Sequence, residues 1–375
     1  MNLRLKKPGR AIIYLMMTLI LALLAGCEQK EQQPTSYGKF DPTLAADTTT
    51  TLEYAFKNVS KDYRLQFPHD HGPHPQHHIE WWYITANLED DDGEHYALQW
   101  TQFRIALPEQ ANSGAVQLRQ FYLAHAAIGN SQQHLAAEKY GRGDIGNAGV
   151  QRAPFSAFID HWQASSEQPD SLFPMRIRFA HSDFNADLRL INQGPIMLQG
   201  DNGYSRKSAD SSNASHYYSM PWLDISGSIQ LGEIQAEVKG QAWFDREWTS
   251  SVLAPDQQGW DWLALHLDDG SALMLYQLRS ATAAPFRFAK WMAKSGETRT
   301  FTPQSIGMEP LVYSTIAGRQ IPTQWRITLP EMGLDIRVSP LNEAQYMALS
   351  QPYWEGAVFI QGSHSGRGFL EMTGY

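Results

Sequence analysis
The sequence predicts an all-β protein, and three observations carry that prediction. Apolar and polar residues alternate at period two over many short runs, the signature of half-buried strands. Runs with a 3.6-residue period are scarce; residues 341–349, LNEAQYMAL, are the best helix candidate and are short. Two segments also share one hairpin design: WWYITANLEDDDGEHYALQWTQFR at 81–104 and WDWLALHLDDGSALMLYQLR at 260–279. Each has a tryptophan-led strand, an acidic turn with Gly93 or Gly270, and a second strand ending Gln-Phe-Arg or Gln-Leu-Arg. Asp-Gly between alternating runs is a strong hairpin signal, and its recurrence predicts a duplicated domain.

The chain begins outside that fold. Arg4, Lys6, Lys7 and Arg10 accompany the apolar run AIIYLMMTLILALLA, so residues 1–26 read as a secretory signal. Leu24-Ala25-Gly26-Cys27 resembles the lipobox of bacterial lipoproteins, which implies cleavage before Cys27 and lipidation of that residue. Cys27 is the only cysteine of the chain, so no internal disulfide is possible. Glu28, by resemblance to Gram-negative sorting, implies an outer-membrane lipoprotein facing the periplasm. Residues 27–50 are polar and poor in aromatics and read as a flexible tether. Four basic residues leave with the signal, so 26 remain against 39 acidic ones, a net charge of −13. No basic stripe survives, which excludes nucleic acid as a partner.

After the tether comes HDHGPHPQHHIEWWY at 69–83, with five histidines in its first ten residues. Pro68, Gly72, Pro73 and Pro75 prevent an α-helix there, so the His-x₃-His geometry of a helical zinc site is not available. No dedicated metal and no cofactor is expected; His71 and His74 are expected to hydrogen-bond at a barrel mouth. IEWWYITANL then reads as a strand, with Glu80, Trp82 and Ile84 on one face and Trp81, Tyr83 and Thr85 on the other. MRIRF at 175–179 alternates Met175, Ile177 and Phe179 with arginines, and FNADLRL continues with Phe184, Ala186, Leu188 and Leu190. Trp325, Ile327 and Leu329 repeat the pattern, as do Leu334, Ile336 and Val338 after a turn at 330–333. In WFDREW at 243–248, Trp243, Asp245 and Glu247 share a face opposite Phe244, Arg246 and Trp248. In HYYSMP, His216 and Tyr218 share a face. Twelve tryptophans, sixteen tyrosines and sixteen phenylalanines suit a pocket for an elongated apolar ligand.

FPHDHGPHPQHHIEWWYITANL, AWFDREWTS, GWDWLALHLDDGSALMLYQLR and the C-terminal GRGFLEMTGY together resemble the AttH/carotenoid 1,2-hydratase family, over about Phe67 to Tyr375. The resemblance implies two lipocalin-like β-barrel domains packed together, placed here at 51–235 and 236–375. It implies a hydrophobic ligand, isoprenoid or lipid, and hydration of a C=C bond. Its loop pattern maps onto Asp70, His71, Gly72, His74, Glu80, Trp81 and Trp82, of which His71, His74, Glu80, Trp81 and Trp82, with Glu247, are the expected ligand contacts. The hydratases' His-x-aromatic and aromatic-x-Asp pairs carry over to His216 and Tyr218 and to Trp243 and Asp245 as catalytic residues. Here Tyr and Trp are exchanged between the two pairs, which moves the phenol.

Those residue types suit alkene hydration. Protonating a trisubstituted alkene needs an acid kept neutral by an apolar site; aromatic faces stabilise the resulting cation; a histidine can position water. Two other classes stay open: a non-catalytic accessory or carrier lipoprotein of an ABC transporter, and a secreted glycan hydrolase using Asp245 and Glu247.

Overall fold
The computed structural model describes residues 56–110, 116–209, 213–251, 253–254 and 256–375. The signal, Cys27 and the tether lie outside the described residues. The first sheet holds β1 (Ile79–Asp90), β2 (His95–Gln110), β3 (Val116–Asn130), β4 (His134–Arg142), β5 (Ala148–Arg152), β6 (Phe155–Ile159) and β7 (Trp162–Ser166). It continues with β8 (Met175–Ala180), β9 (Phe184–Asn192), β10 (Met197–Leu198), β11 (Tyr204–Arg206), β12 (Ala214–Leu231) and β13 (Ile234–Thr249). The second holds β14 (Gln257–Leu267), β15 (Ala272–Ser280), β16 (Phe286–Met292), β17 (Thr298–Thr300) and β18 (Gly307–Ile316). It closes with β19 (Arg319–Leu329), β20 (Leu334–Pro340), β21 (Tyr346–Met347), β22 (Tyr353–Gly362) and β23 (Gly366–Met372).

All pairings are antiparallel. The first sheet runs β4-β3-β2-β1-β13-β12-β9-β8-β7-β6-β5 and is a nearly closed barrel. The second runs β17-β16-β15-β14-β23-β22-β20-β19-β18 and is a half-barrel. The protein is thus all-β, with two lipocalin-like barrels. Both predicted hairpins exist, as β1–β2 and β14–β15. Their turns match as well: Gly93 and Gly270 both have φ of +82°, a conformation that favours glycine.

Two expectations need correction. The change from first to second sheet was placed at 235/236, but β13 belongs to the first sheet, so the change falls after Thr249. The cause is the tight turn at Gly232–Glu233, which folds β13 straight back onto β12. The helix expected at 341–349 is a turn followed by β21. There Asn342 Oδ1 accepts the Ala344 amide at 2.8 Å, and the Gln345 side chain bonds the Ala357 backbone at 3.0 and 3.1 Å. Gly356 makes room for it, because a Cβ at that position would lie 2.0 Å from Gln345.

Period-two strands expose two apolar faces, and both are used. Trp82, Trp100, Trp162, Phe179 and Trp248 fill the first barrel, while Trp325, Trp354 and Leu263 fill the second. A third cluster, including Tyr83, Tyr217, Trp243, Trp262 and Tyr276, lies where the outer face of the first sheet packs on the second. Burial of each large apolar side chain contributes about 1.5–3 kcal/mol.

Candidate active site between the two sheets
Residues directly opposite in an antiparallel ladder share a face. In β12–β13, Tyr218 lies opposite Arg246 and His216 opposite Trp248, whereas Tyr217 lies opposite Glu247 and Ser219 opposite Asp245. The four expected catalytic residues are therefore divided. His216 and Tyr218 face the first barrel's interior; Trp243 and Asp245 face the second sheet. Of the expected ligand contacts, His71, His74, Glu80 and Trp82 go with the first group, and Trp81 and Glu247 with the second.

The interior group is a buried ion-pair knot. Glu80 is fully buried and accepts from Arg104 Nε, Arg246 Nη2 and the His74 amide, the last at 2.9 and 3.0 Å. Burial pushes its carboxyl up, but the two guanidinium groups win and hold it below the usual carboxylate range. Arg246 also lies 4.0 Å from the Trp82 ring centroid, and His74 stacks on Trp248 at 3.9 Å. His71 Nδ1 meets the Tyr218 hydroxyl at 2.6 Å, and burial, aided by Arg246, lowers its pKa to about 4. His216, lowered to about 4 mainly by burial, packs beside Tyr63 and Trp248. His71 and His216 are therefore neutral at physiological pH, and His71 and His74 are both held by hydrogen bonds beside the first barrel.

Within that loop, His69, Asp70 and His74 each offer one ligand atom, all within 4.8 Å of one another, a set that could hold a metal ion. Hydrogen bonds account for the same arrangement. Asp70 meets His69 at 2.8 Å and His74 at 3.1 Å, and accepts from Tyr63 Oη at 2.8 and 2.9 Å and from the Gln66 amide at 2.7 Å. Opposing the effect of burial, these contacts keep the Asp70 carboxyl well below its usual range.

The face between the sheets has a different chemistry. Asp245 is 3% exposed. Tyr217 Oη donates to its Oδ2 at 2.5 Å; Ser219 Oγ and Trp243 Nε1 donate to its Oδ1 at 2.5 and 2.7 Å. Indole N–H can only donate, so Trp262 Nε1, 3.2 Å from Tyr217 Oη, leaves the tyrosine proton directed at Asp245. Gln199 Nε2, 2.8 Å from Ser219 Oγ, does the same for the serine. Three of four carboxylate lone-pair positions are then committed, and the fourth, on Oδ2, takes no donor among the described residues. Burial outweighs the three hydrogen bonds, and with Glu247 nearby the pKa rises to about 7.

Glu247, by contrast, is tied down. Ser215 Oγ donates to it and Lys207 Nζ pairs with it at 2.7 Å. Lys207 itself lies 5.1 Å from the Tyr217 ring centroid and 4.6 Å from that of Tyr276. A carboxylate so held is a poor free partner for Asp245 in glycan hydrolysis. Opposite stands a row of the second sheet: Glu355, Glu371, Trp262 and Tyr276 are successive cross-strand neighbours. Tyr83 Oη donates to Glu355 Oε1, and its ring meets Trp262 edge-on at 5.3 Å. Trp81, Phe103, Trp260, Tyr353 and Glu371 are half-buried, so the edge of the interface is aromatic and acidic.

Sequence reasoning missed Tyr217, Ser219, Lys207, Trp262, Glu355 and Glu371 as site residues. Tyr217 sits within the quoted HYYSMP and Glu371 within GRGFLEMTGY, but only strand register brings them to Asp245.

Comparison with known proteins agrees with this architecture. Residues 58–375 match the model of the AttH-like family. The crystal structure of an AttH protein from Nitrosomonas europaea is 34% identical, covers 85% of this chain and 99% of its own, and superposes with a TM-score of 0.76. Kievitone hydratase from Nectria haematococca shares the fold at 15% identity, with coverage of 84% and 95% and a TM-score of 0.64. No curated protein matches the chain by sequence. By the extent of the family match and the Nitrosomonas relative, the chain belongs to the AttH-like family.

Proposed function
We propose that the protein is a hydratase-type enzyme that adds water across a trisubstituted C=C bond of an apolar, isoprenoid-like ligand bound between the two sheets. One observation carries the reading: Asp245, buried among Trp243, Tyr217 and Trp262, has a pKa of about 7 and one uncommitted lone-pair position. Asp245 is the proton donor. The surrounding rings stabilise the tertiary cation, by about 2 kcal/mol for a desolvated contact. The tyrosine beside the acid is Tyr217 rather than Tyr218, so the exchange of aromatic types between the two motif pairs does not deprive Asp245 of a phenol.

A carrier reading has its own support. A cavity of about 390 Å³ lined by His71, Ser171, Phe173, Asn192, Ile196 and Met220 adjoins the first barrel and offers a small ligand of mixed polarity a place without chemistry. In either reading the protein is anchored through lipidated Cys27 to the outer membrane, faces the periplasm, and is a candidate partner of an ABC transporter. The test is incubation with lycopene in detergent micelles, following product mass. Wild type is expected to give the hydrated product and Asp245→Asn to give none. Binding without hydration by wild type would favour the carrier, and no binding of any apolar ligand would end both readings.

A further inference from the structure
Resting on that reading, we propose that Glu371, supplied by the second barrel, is the catalytic base that takes the proton of the attacking water, as partner to Asp245. Hydration needs two groups in opposite protonation states, one to give a proton to carbon and one to accept a proton from water. Glu247 cannot serve as the second, being paired with Lys207 and Ser215. Glu355 accepts from Tyr83 on Oε1, but burial and the neighbouring Glu371 push its carboxyl well above the usual range, so it stays protonated, and it lies beyond Glu371 in its row.

Glu371 is placed for the task. It is the cross-strand neighbour of Trp262, whose indole reaches the Tyr217 hydroxyl bound to Asp245. A single aromatic side chain thus separates the two carboxyl-bearing networks. Glu371 accepts from Trp260 Nε1 at 2.7 Å on Oε1, and the residue is half-buried where Asp245 is buried. Asp245 and Glu247 of β13 face it from the first sheet, together with Tyr83 of β1, while Glu355 and Tyr353 flank it on β22. Burial and the repulsion from Asp245 and Glu247 bring Glu371 to about 7 as well, against the Trp260 hydrogen bond. Two coupled carboxyls titrate in two steps, so near neutral pH the pair shares one proton; we place it on Asp245 when the alkene binds.

The step balances. The alkene π pair takes the proton from Asp245 Oδ2, forming a C–H bond and a tertiary cation. A water oxygen forms the C–O bond, and its O–H bond breaks as Glu371 accepts the proton. The products are a tertiary alcohol, ionised Asp245 and protonated Glu371; return of that proton to Asp245 resets the pair, and one water is consumed.

The experiment uses wild type, Glu371→Gln and Asp245→Asn with lycopene micelles in D₂O. It scores hydrated product and deuterium in recovered alkene, alongside infrared titration of the carboxylic C=O band without ligand. Glu371→Gln is expected to lose hydration by at least about 100-fold yet retain deuterium exchange, because protonation still occurs and reverses. Asp245→Asn is expected to lose both, and each variant to lower the remaining carboxyl's titration by about one pH unit. Hydration by Glu371→Gln within about three-fold of wild type overturns the base assignment alone. Neither hydration nor exchange by wild type overturns the hydratase reading, and the base with it. Should Glu371→Gln fail to fold, the Asp245→Asn titration still decides: an unmoved Glu371 overturns the pair.

Discussion
Tyr217 and Tyr218, adjacent in the chain, serve opposite faces of one strand: the first donates to Asp245 at 2.5 Å, and the second meets His71 at 2.6 Å. One phenol therefore belongs to the acid between the sheets and the other to the ion-pair knot of the first barrel. The catalytic pairing of His216 with Asp245 expected from the motif is separated by the thickness of the sheet.

Replacing the two phenols separates their roles. Tyr217→Phe removes a donor that favours ionised Asp245, so the alkaline limb of the pH–rate profile is expected to move up while the rate falls. Tyr218→Phe is expected to leave that limb in place and to cost about 1–3 kcal/mol of stability, from the buried His71 nitrogen left without its partner. Rate profiles and urea midpoints of both variants check this.

Asp245 predicts two pH dependences. Hydration is expected to fall about tenfold per pH unit above pH 7, as the donor loses its proton. Stability has the sign of a raised acid: Asp245 goes from 3.8 to about 7 on folding, so its contribution is complete below 3.8 and is lost as pH rises to 7. From pH 4 to pH 8, Asp245→Asn is expected to gain on wild type by on the order of 4 kcal/mol, measured by urea unfolding.

Glu80 behaves in the opposite sense. Its folded pKa lies below 4.5, so its stabilisation is present above pH 4.5 and is lost as pH falls toward the folded value. Glu80→Gln leaves Arg104 and Arg246 buried without a counter-ion and is expected to cost about 3–5 kcal/mol at pH 7. It should also flatten the acid limb of the stability profile, read by urea unfolding across the acid range.

Cys27 is the proposed anchor. Cys27→Ser is expected to move the protein from the membrane fraction to the soluble fraction. Sedimentation of the variant with membranes after a salt wash would show that something other than lipid holds it.

Much of the fold was legible because strand parity is local. The alternations Glu80/Trp81/Trp82 and Asp245/Arg246/Glu247 tell which residues share a face, and the two Asp-Gly or acidic-Gly turns mark equivalent hairpins. Register between β12 and β13 across their tight turn, and the identity of what lies above each face, are not local. Those two facts divided His216 and Tyr218 from Trp243 and Asp245 and brought Glu371, more than a hundred residues downstream, close enough to feel the charge of Asp245.

By itself the sequence determined the all-β class, the duplicated hairpin, the aromatic wealth and the acid–aromatic motif, because each is written in residue type and short spacing. Only the tertiary structure decided which acid is left without a counter-ion and so proposed as the proton donor. Asp245 and Glu80 are both carboxyls on strands flanked by tryptophans, yet one rises to about 7 and the other falls below the usual range. Two arginines converge on Glu80 inside a barrel, whereas a second sheet covers Asp245 without supplying it a cation. Desolvation and charge pairing depend on what packs overhead, and that is set by the fold.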